Sequence, residues 1–138
     1  MPPDWENFPH DADIGIRGYG ASKAEAFEQA AYALMAIITD PATIAAKEAV
    51  EIRCAAPDDE LLFVDWINQL IFEVATRNML FGRFSVNLLD NALLAMAWGE
   101  PTDVQRHHPA VEVKGATYTE LRVTQENGRW LAQTIVDV

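Results

Sequence analysis

Cysteine is nearly absent from this chain. Its one thiol, Cys54, cannot close an internal disulfide, so nothing points to an oxidising compartment, and zinc clusters built from several thiolates are excluded. Cations are scarce as well: ten Lys and Arg face twenty-one Asp and Glu, a formal net charge of −11. A phosphate backbone is gripped by clustered Lys and Arg, and no such cluster is present, so strong direct binding of nucleic acid is not expected. Metal ions and basic protein surfaces suit this charge better, although net charge of this size also serves solubility alone. Long apolar runs are lacking, because Asp65, Asn68 and Gln69 interrupt the longest one before it reaches membrane-spanning length. The first residues, Met1 to Glu6, do not have the basic-then-apolar profile of a signal peptide, so the default expectation is a cytoplasmic protein. Phosphate loops of P-loop spacing and Gly-x-Ser-x-Gly elbows are missing too. Gly15-Ile16-Arg17-Gly18-Tyr19-Gly20 is glycine-rich but fits no dinucleotide fingerprint; its glycines read as permitting close packing or bulging of a strand.

What is there is one ordinary domain of 138 residues, half of them apolar. Ile14 and Ile16 alternate with small or polar residues, predicting a first strand over residues 13–19. Ser22 and Glu25 form a capping-box pair, and Phe27, Ala31, Leu34 and Ile38 follow at helical spacing until Pro41 stops the helix near Asp40. Val50, Ile52 and Cys54 predict another strand. Asp58, Asp59 and Glu60 open a second helix, where Phe63, Trp66, Ile67, Leu70, Ile71 and Val74 make a wide apolar face opposite Asp65, Asn68, Gln69 and Glu73. Residues 84–89 and 93–98 flank Asp90-Asn91 as a tight hairpin, and 111–116, 118–124 and 129–136 are further strand candidates, with Asn127-Gly128 as a type I′ turn. Trp66 and Trp98 both fall on apolar patterns and read as core, not as base-stacking platforms. The expected fold is α+β and two-layered, a largely antiparallel or mixed sheet of about six or seven strands packed by two helices.

The chemistry is carried by carboxylates in unusual places. Asp11 and Asp13 stand at the start of the first predicted strand, and Asp137-Val138 directly follows the final one. Side-chain and terminal carboxylates are hard oxygen ligands for Mg²⁺, Mn²⁺ or Ca²⁺. If the first and last strands are neighbours, Asp13, Asp137 and the terminal carboxylate of Val138 converge. The alternative is that these acids are solvated charges or turn caps. His107 and His108, in an irregular stretch from Gly99 to Pro109 that also holds Glu100 and Asp103, read as exposed loop histidines or as ligands and proton carriers. Lys114 reads as a strand lysine paired with Glu112, or as a partner contact.

In their order along the chain these residues resemble the archease family. The carrying segments are Trp5-Glu6, His10-x-Ala12-Asp13-Ile14, Gly18-Tyr19-Gly20, Leu61-Leu62-Phe63-Val64-Asp65-Trp66, Leu80-Phe81, Gly99-Glu100 with Asp103 and His107, Glu112-Val113-Lys114-x-x-Thr117-Tyr118, and Asp137-Val138. The resemblance implies an accessory protein, not itself an enzyme, that helps a GTP-dependent RNA ligase of tRNA splicing and RNA repair to guanylylate itself and turn over repeatedly. It implies a bound divalent metal on Asp13, Asp137 and the Val138 carboxylate, with Asp11 adjacent. It also places Glu100, Asp103, His107 and Lys114 at motif positions as partner or auxiliary residues. Two positions depart from the family pattern: Asp11 stands where Thr is usual, and Thr119 where His is common. A second class of function is a chaperone or modulator of RNA-modifying enzymes such as methyltransferases. A third, ranked last, is a metal-dependent hydrolase using Asp11, Asp13 and His107.

Overall fold

One strand organises the larger of two sheets. In the computed structural model, which describes residues 4–138, the strand β8 (Arg129–Asp137) is bonded on both edges. On one side it pairs antiparallel with β2 (Asp13–Gly20), which pairs in turn with β1 (Trp5–His10). On the other side it pairs first with β7 (Arg122–Glu126) and then, at its end, with the two-residue strand β6 (Gly115–Ala116). The second sheet has three antiparallel strands in the order β3 (Glu48–Ala55), β5 (Ala92–Pro101), β4 (Met79–Leu89). The fold is therefore α+β as expected, with eight strands among the described residues divided between two antiparallel sheets, and two main helices.

Helix α1 (Lys23–Ile38) begins as its sequence dictates. Ser22 Oγ accepts the Glu25 N–H at 3.1 Å and Glu25 Oε2 accepts the Ala21 N–H at 2.9 Å, so the capping-box pair satisfies two amides. Helix α2 (Asp59–Arg77) is capped by Asp58 and ends at Asn78, whose left-handed conformation stops it. Phe63, Trp66, Ile67 and Leu70 are buried, while Ile71 and Val74 emerge half-covered as the apolar face runs past the core. Trp66 is fully buried and donates its indole N–H to the Phe27 carbonyl at 3.0 Å; Phe27 stacks edge-on against Phe63. Gly18 lets α1 lie directly on β2, because a Cβ there would meet the backbone of Ala26 and Ala30 at 2.2 and 2.3 Å.

The hairpins at Asp90-Asn91 and Asn127-Gly128 form, the second with positive φ at both turn residues. Other expectations need correction. Strand β1 is an addition; Pro9 and its polar neighbours obscure the alternation, and a proline is tolerated there because β1 is an edge strand. Of residues 111–116 only Gly115 and Ala116 pair, because β8 has already given most of that edge to β7. The segment 118–121 turns instead of extending: Thr117 Oγ1 accepts the Thr119 N–H at 3.1 Å and Glu120 takes positive φ. Trp98 lies half-exposed on the outer face of β5, under the Arg83 guanidinium, and not in the core. Among the described residues no helix is long and apolar enough to cross a membrane.

Candidate functional site

Two places gather the acids and bases singled out by the sequence. The first is the end of the larger sheet. The β2–β8 register runs to Ile14 opposite Val136; continued by one residue it sets Asp13, the first residue of β2, opposite Asp137, the last of β8. On their other sides Asp13 faces His10 of β1 and Asp137 faces Gly115 of β6. Directly opposed residues of an antiparallel pair share a face, and like charges so placed repel unless a cation lies between them. The Val138 side chain rests against the hydrophobic core, which anchors the residue following Asp137. Asp11 occupies the turn between β1 and β2 at positive φ, its carboxylate exposed and 3.9 Å from His10 Nδ1. Among the described residues no three His, Cys, Asp or Glu side chains are grouped to hold an ion by themselves. A terminal carboxylate on Val138 would add a third oxygen donor beside the two side chains. Chemically the donors fit a hard divalent cation: two carboxylates, plus a third from Val138.

The second place is buried. Glu100, only 1% exposed, sits at the end of β5 with four N–H or cationic groups gathered on its carboxylate. Its Oε2 takes the Ala45 N–H at 2.7 Å and His107 Nε2 at 3.0 Å; its Oε1 meets Arg106 at 2.5 Å and Lys47 at 3.6 Å. The Arg106 guanidinium, followed by the Ala45 amide, holds the Glu100 carboxyl well below the usual carboxylate range, against the opposing effect of burial. His107, 3% exposed, is not the free loop histidine that its setting suggested. Its Nδ1 accepts the Asp103 N–H at 2.9 Å, which leaves Nε2 as the donor to Glu100. With both nitrogens engaged, His107 is removed from any hydrolytic set with Asp11 and Asp13. His108 beside it is exposed.

Asp103 caps the short helix α3 (Val104–His107), accepting the N–H groups of Gln105 and Arg106. Lys114 lies outside any strand and makes no ion pair with Glu112 among the described residues; its backbone N–H donates to the Asp137 carbonyl at 2.8 Å. Sequence reasoning overlooked Asn68, on the polar face of α2, whose Oδ1 accepts the Ala116 N–H at 2.9 Å. It also overlooked Thr39, whose hydroxyl donates to the His107 carbonyl at 2.5 Å. Neither carries a signal beyond its polarity. Cys54 is half-buried, and burial pushes its thiol up to about 11, so it offers no nucleophile at neutral pH. Between α1 and α2 lies a cavity of about 270 Å³, walled by Met35, Ile38, Val74 and Leu80 and closed on one side by Pro109 and Val113.

Comparison with known proteins decides the lineage. Residues 5–138 match the archease protein family. The chain belongs to the archease family. It is 35% identical to protein archease of Pyrococcus furiosus over 97% of this chain and 98% of that one, and 38% identical to protein archease of Sulfolobus acidocaldarius with the same coverage. The solution structure of Methanobacterium thermoautotrophicum protein 1598 superimposes with a TM-score of 0.81 at 28% identity, covering 99% of this chain and all of that one. The crystal structure of a Thermotoga maritima archease, described as a possible chaperone, gives a TM-score of 0.64 at 20% identity and 96% coverage of each chain, a likeness of fold. Against the archease pattern, the Asp11 departure falls in an exposed turn. The Thr119 departure falls where the backbone does the bonding: its carbonyl accepts from Ile135 N–H at 3.2 Å and Thr134 Oγ1 at 3.3 Å.

Proposed function

We propose that this archease activates a GTP-dependent RNA ligase by presenting a divalent cation held on Asp13, Asp137 and the terminal carboxylate of Val138. The observation that supports this most is the β2–β8 register, which brings two acids far apart in sequence into adjacent strands at one sheet end. Self-guanylylation of a ligase is a phosphoryl-transfer step, accelerated by positioning and by cations that neutralise developing charge. The ion, when bound, would supply that neutralisation. The chain's own part is to hold three hard oxygens on a packed sheet end and to offer a strongly acidic body to a basic partner surface. On this reading the protein performs no catalysis itself and binds no RNA tightly.

The decisive measurement is GTP-dependent guanylylation of a purified RNA ligase, with and without the protein, across a titration of Mg²⁺, Mn²⁺ or Ca²⁺. Stimulation is expected with wild type and lost with Asp13→Ala or Asp137→Ala. It should also be lost when two residues are added after Val138, which displaces the terminal carboxylate but leaves every side chain. Full stimulation by all three variants would sink the proposal.

A second reading is a chaperone-like modulator of other enzymes. Exposed Phe72, Leu89 and Leu94, together with the cavity between the helices, favour it. It expects binding of several unrelated partners, indifferent to Asp13→Ala.

A further inference from the structure

Residues 107–116 form a strap that runs from the buried Glu100 to the acidic sheet end. At its start the His107 ring meets Glu100 and the His107 carbonyl accepts from Thr39. The Ala110 N–H then donates to the Ile38 carbonyl at 2.8 Å, and Val113 is buried in the core. At the far end Lys114 N–H donates to the Asp137 carbonyl, Gly115 pairs with Asp137, and Ala116 N–H reaches Asn68. Asp137 thus has β2 on one side and the strap on the other, and the place of its carboxylate relative to Asp13 depends on both.

Glu100 is an odd group to bury for stability alone, since well-packed apolar residues in place of a buried ion pair are often neutral or better. Its geometry suits another purpose. Groups from two separate segments, the Ala45 amide and the Lys47 charge on one and Arg106 and His107 on the other, converge on one carboxylate and tie the strap's root to β5. We infer that Glu100 is a positioning residue of the Asp13–Asp137 cation site, acting through the strap it anchors and not by touching the ion. This rests on the cation-site reading above. Partners outside the ligand shell commonly change metal affinity by about 10–100-fold when removed, because they set where the ligands stand.

The test is calorimetric titration of the full chain with Ca²⁺ or Mn²⁺ alone. The variants are Glu100→Gln, Thr39→Val as a milder cut at the same root, and Val50→Ala as a core lesion in the smaller sheet. Glu100→Gln is expected to bind about tenfold more weakly, at the low end of that range. Thr39→Val should shift in the same direction by less, and Val50→Ala should match wild type. Amide exchange without any ion should be faster at Lys114 in Glu100→Gln while Ile16, inside the β2–β8 ladder, is unchanged. Wild-type affinity in Glu100→Gln and Thr39→Val, or an equal loss in Val50→Ala, overturns this inference and leaves the cation site standing. Wild-type protein that takes up neither ion overturns the cation-site reading and this inference with it.

Discussion

Gly99→Ala is expected to cost about 4 kcal/mol or more of folding stability, an exceptional loss for a single methyl group. A Cβ at residue 99 would lie 1.9 Å from the Leu80 carbonyl oxygen and 2.8 Å from the Leu80 carbonyl carbon. No rotamer can relieve a clash between two pieces of backbone. The reason for the close approach is the bulge in β4: Phe81 pairs with Gly99 and Arg83 with Trp98, so Gly82 is the extra residue and the β4 backbone folds in over β5. Relief would require shifting that bulge, and with it Leu80 and Phe81, both fully packed in the core. Urea unfolding followed by Trp fluorescence checks this. A loss under about 1 kcal/mol, no more than an average point substitution, would refute the account.

Glu100→Ala is expected to remove about 3 kcal/mol at pH 7, since it strands buried His107 and the Ala45 amide while Arg106 and Lys47 can turn to water. This deficit should depend on pH in one direction. The folded carboxyl titrates below its unfolded value of about 4.3, so its contribution is complete above that pH. As pH falls below it, the unfolded chain takes up a proton that the folded one resists, and the contribution drains away. Urea midpoints of wild type and variant measured from pH 7 to pH 3 should therefore converge on the acid side. A gap at pH 3 as wide as at pH 7 would show that Glu100 acts as a space-filler and not as a charge.

Local chemistry was legible in the sequence where one residue type has one use. Ser22 and Glu25 announced a helix start, Asn127-Gly128 a turn, and the spacing from Phe63 to Val74 a buried helix face. Asp13 and Asp137 were legible as candidates only on condition that their strands are neighbours, and the β2–β8 ladder meets that condition. The remainder depended on contacts between distant segments. Nothing local distinguishes His107, which is buried, from His108, which is not; the difference is that Glu100 waits under one of them. Trp98 followed an apolar alternation faithfully and still landed outside, because β5 is central in a sheet that helices cover on one face only. Strand β1 was hidden because edge strands need no alternation to be held, only a partner.

The ladder between β2 and β8 joins residues more than a hundred positions apart, whereas β4 and β5 meet across a two-residue turn. Closing the long loop costs chain entropy before any of its contacts is gained, so the local hairpins can form early while the join between β2 and β8 is expected late. The acidic sheet end is therefore among the last parts of the molecule to come into being. Partly folded chains carry all of its residues and none of its geometry, so the cation uptake proposed above would report completion of folding.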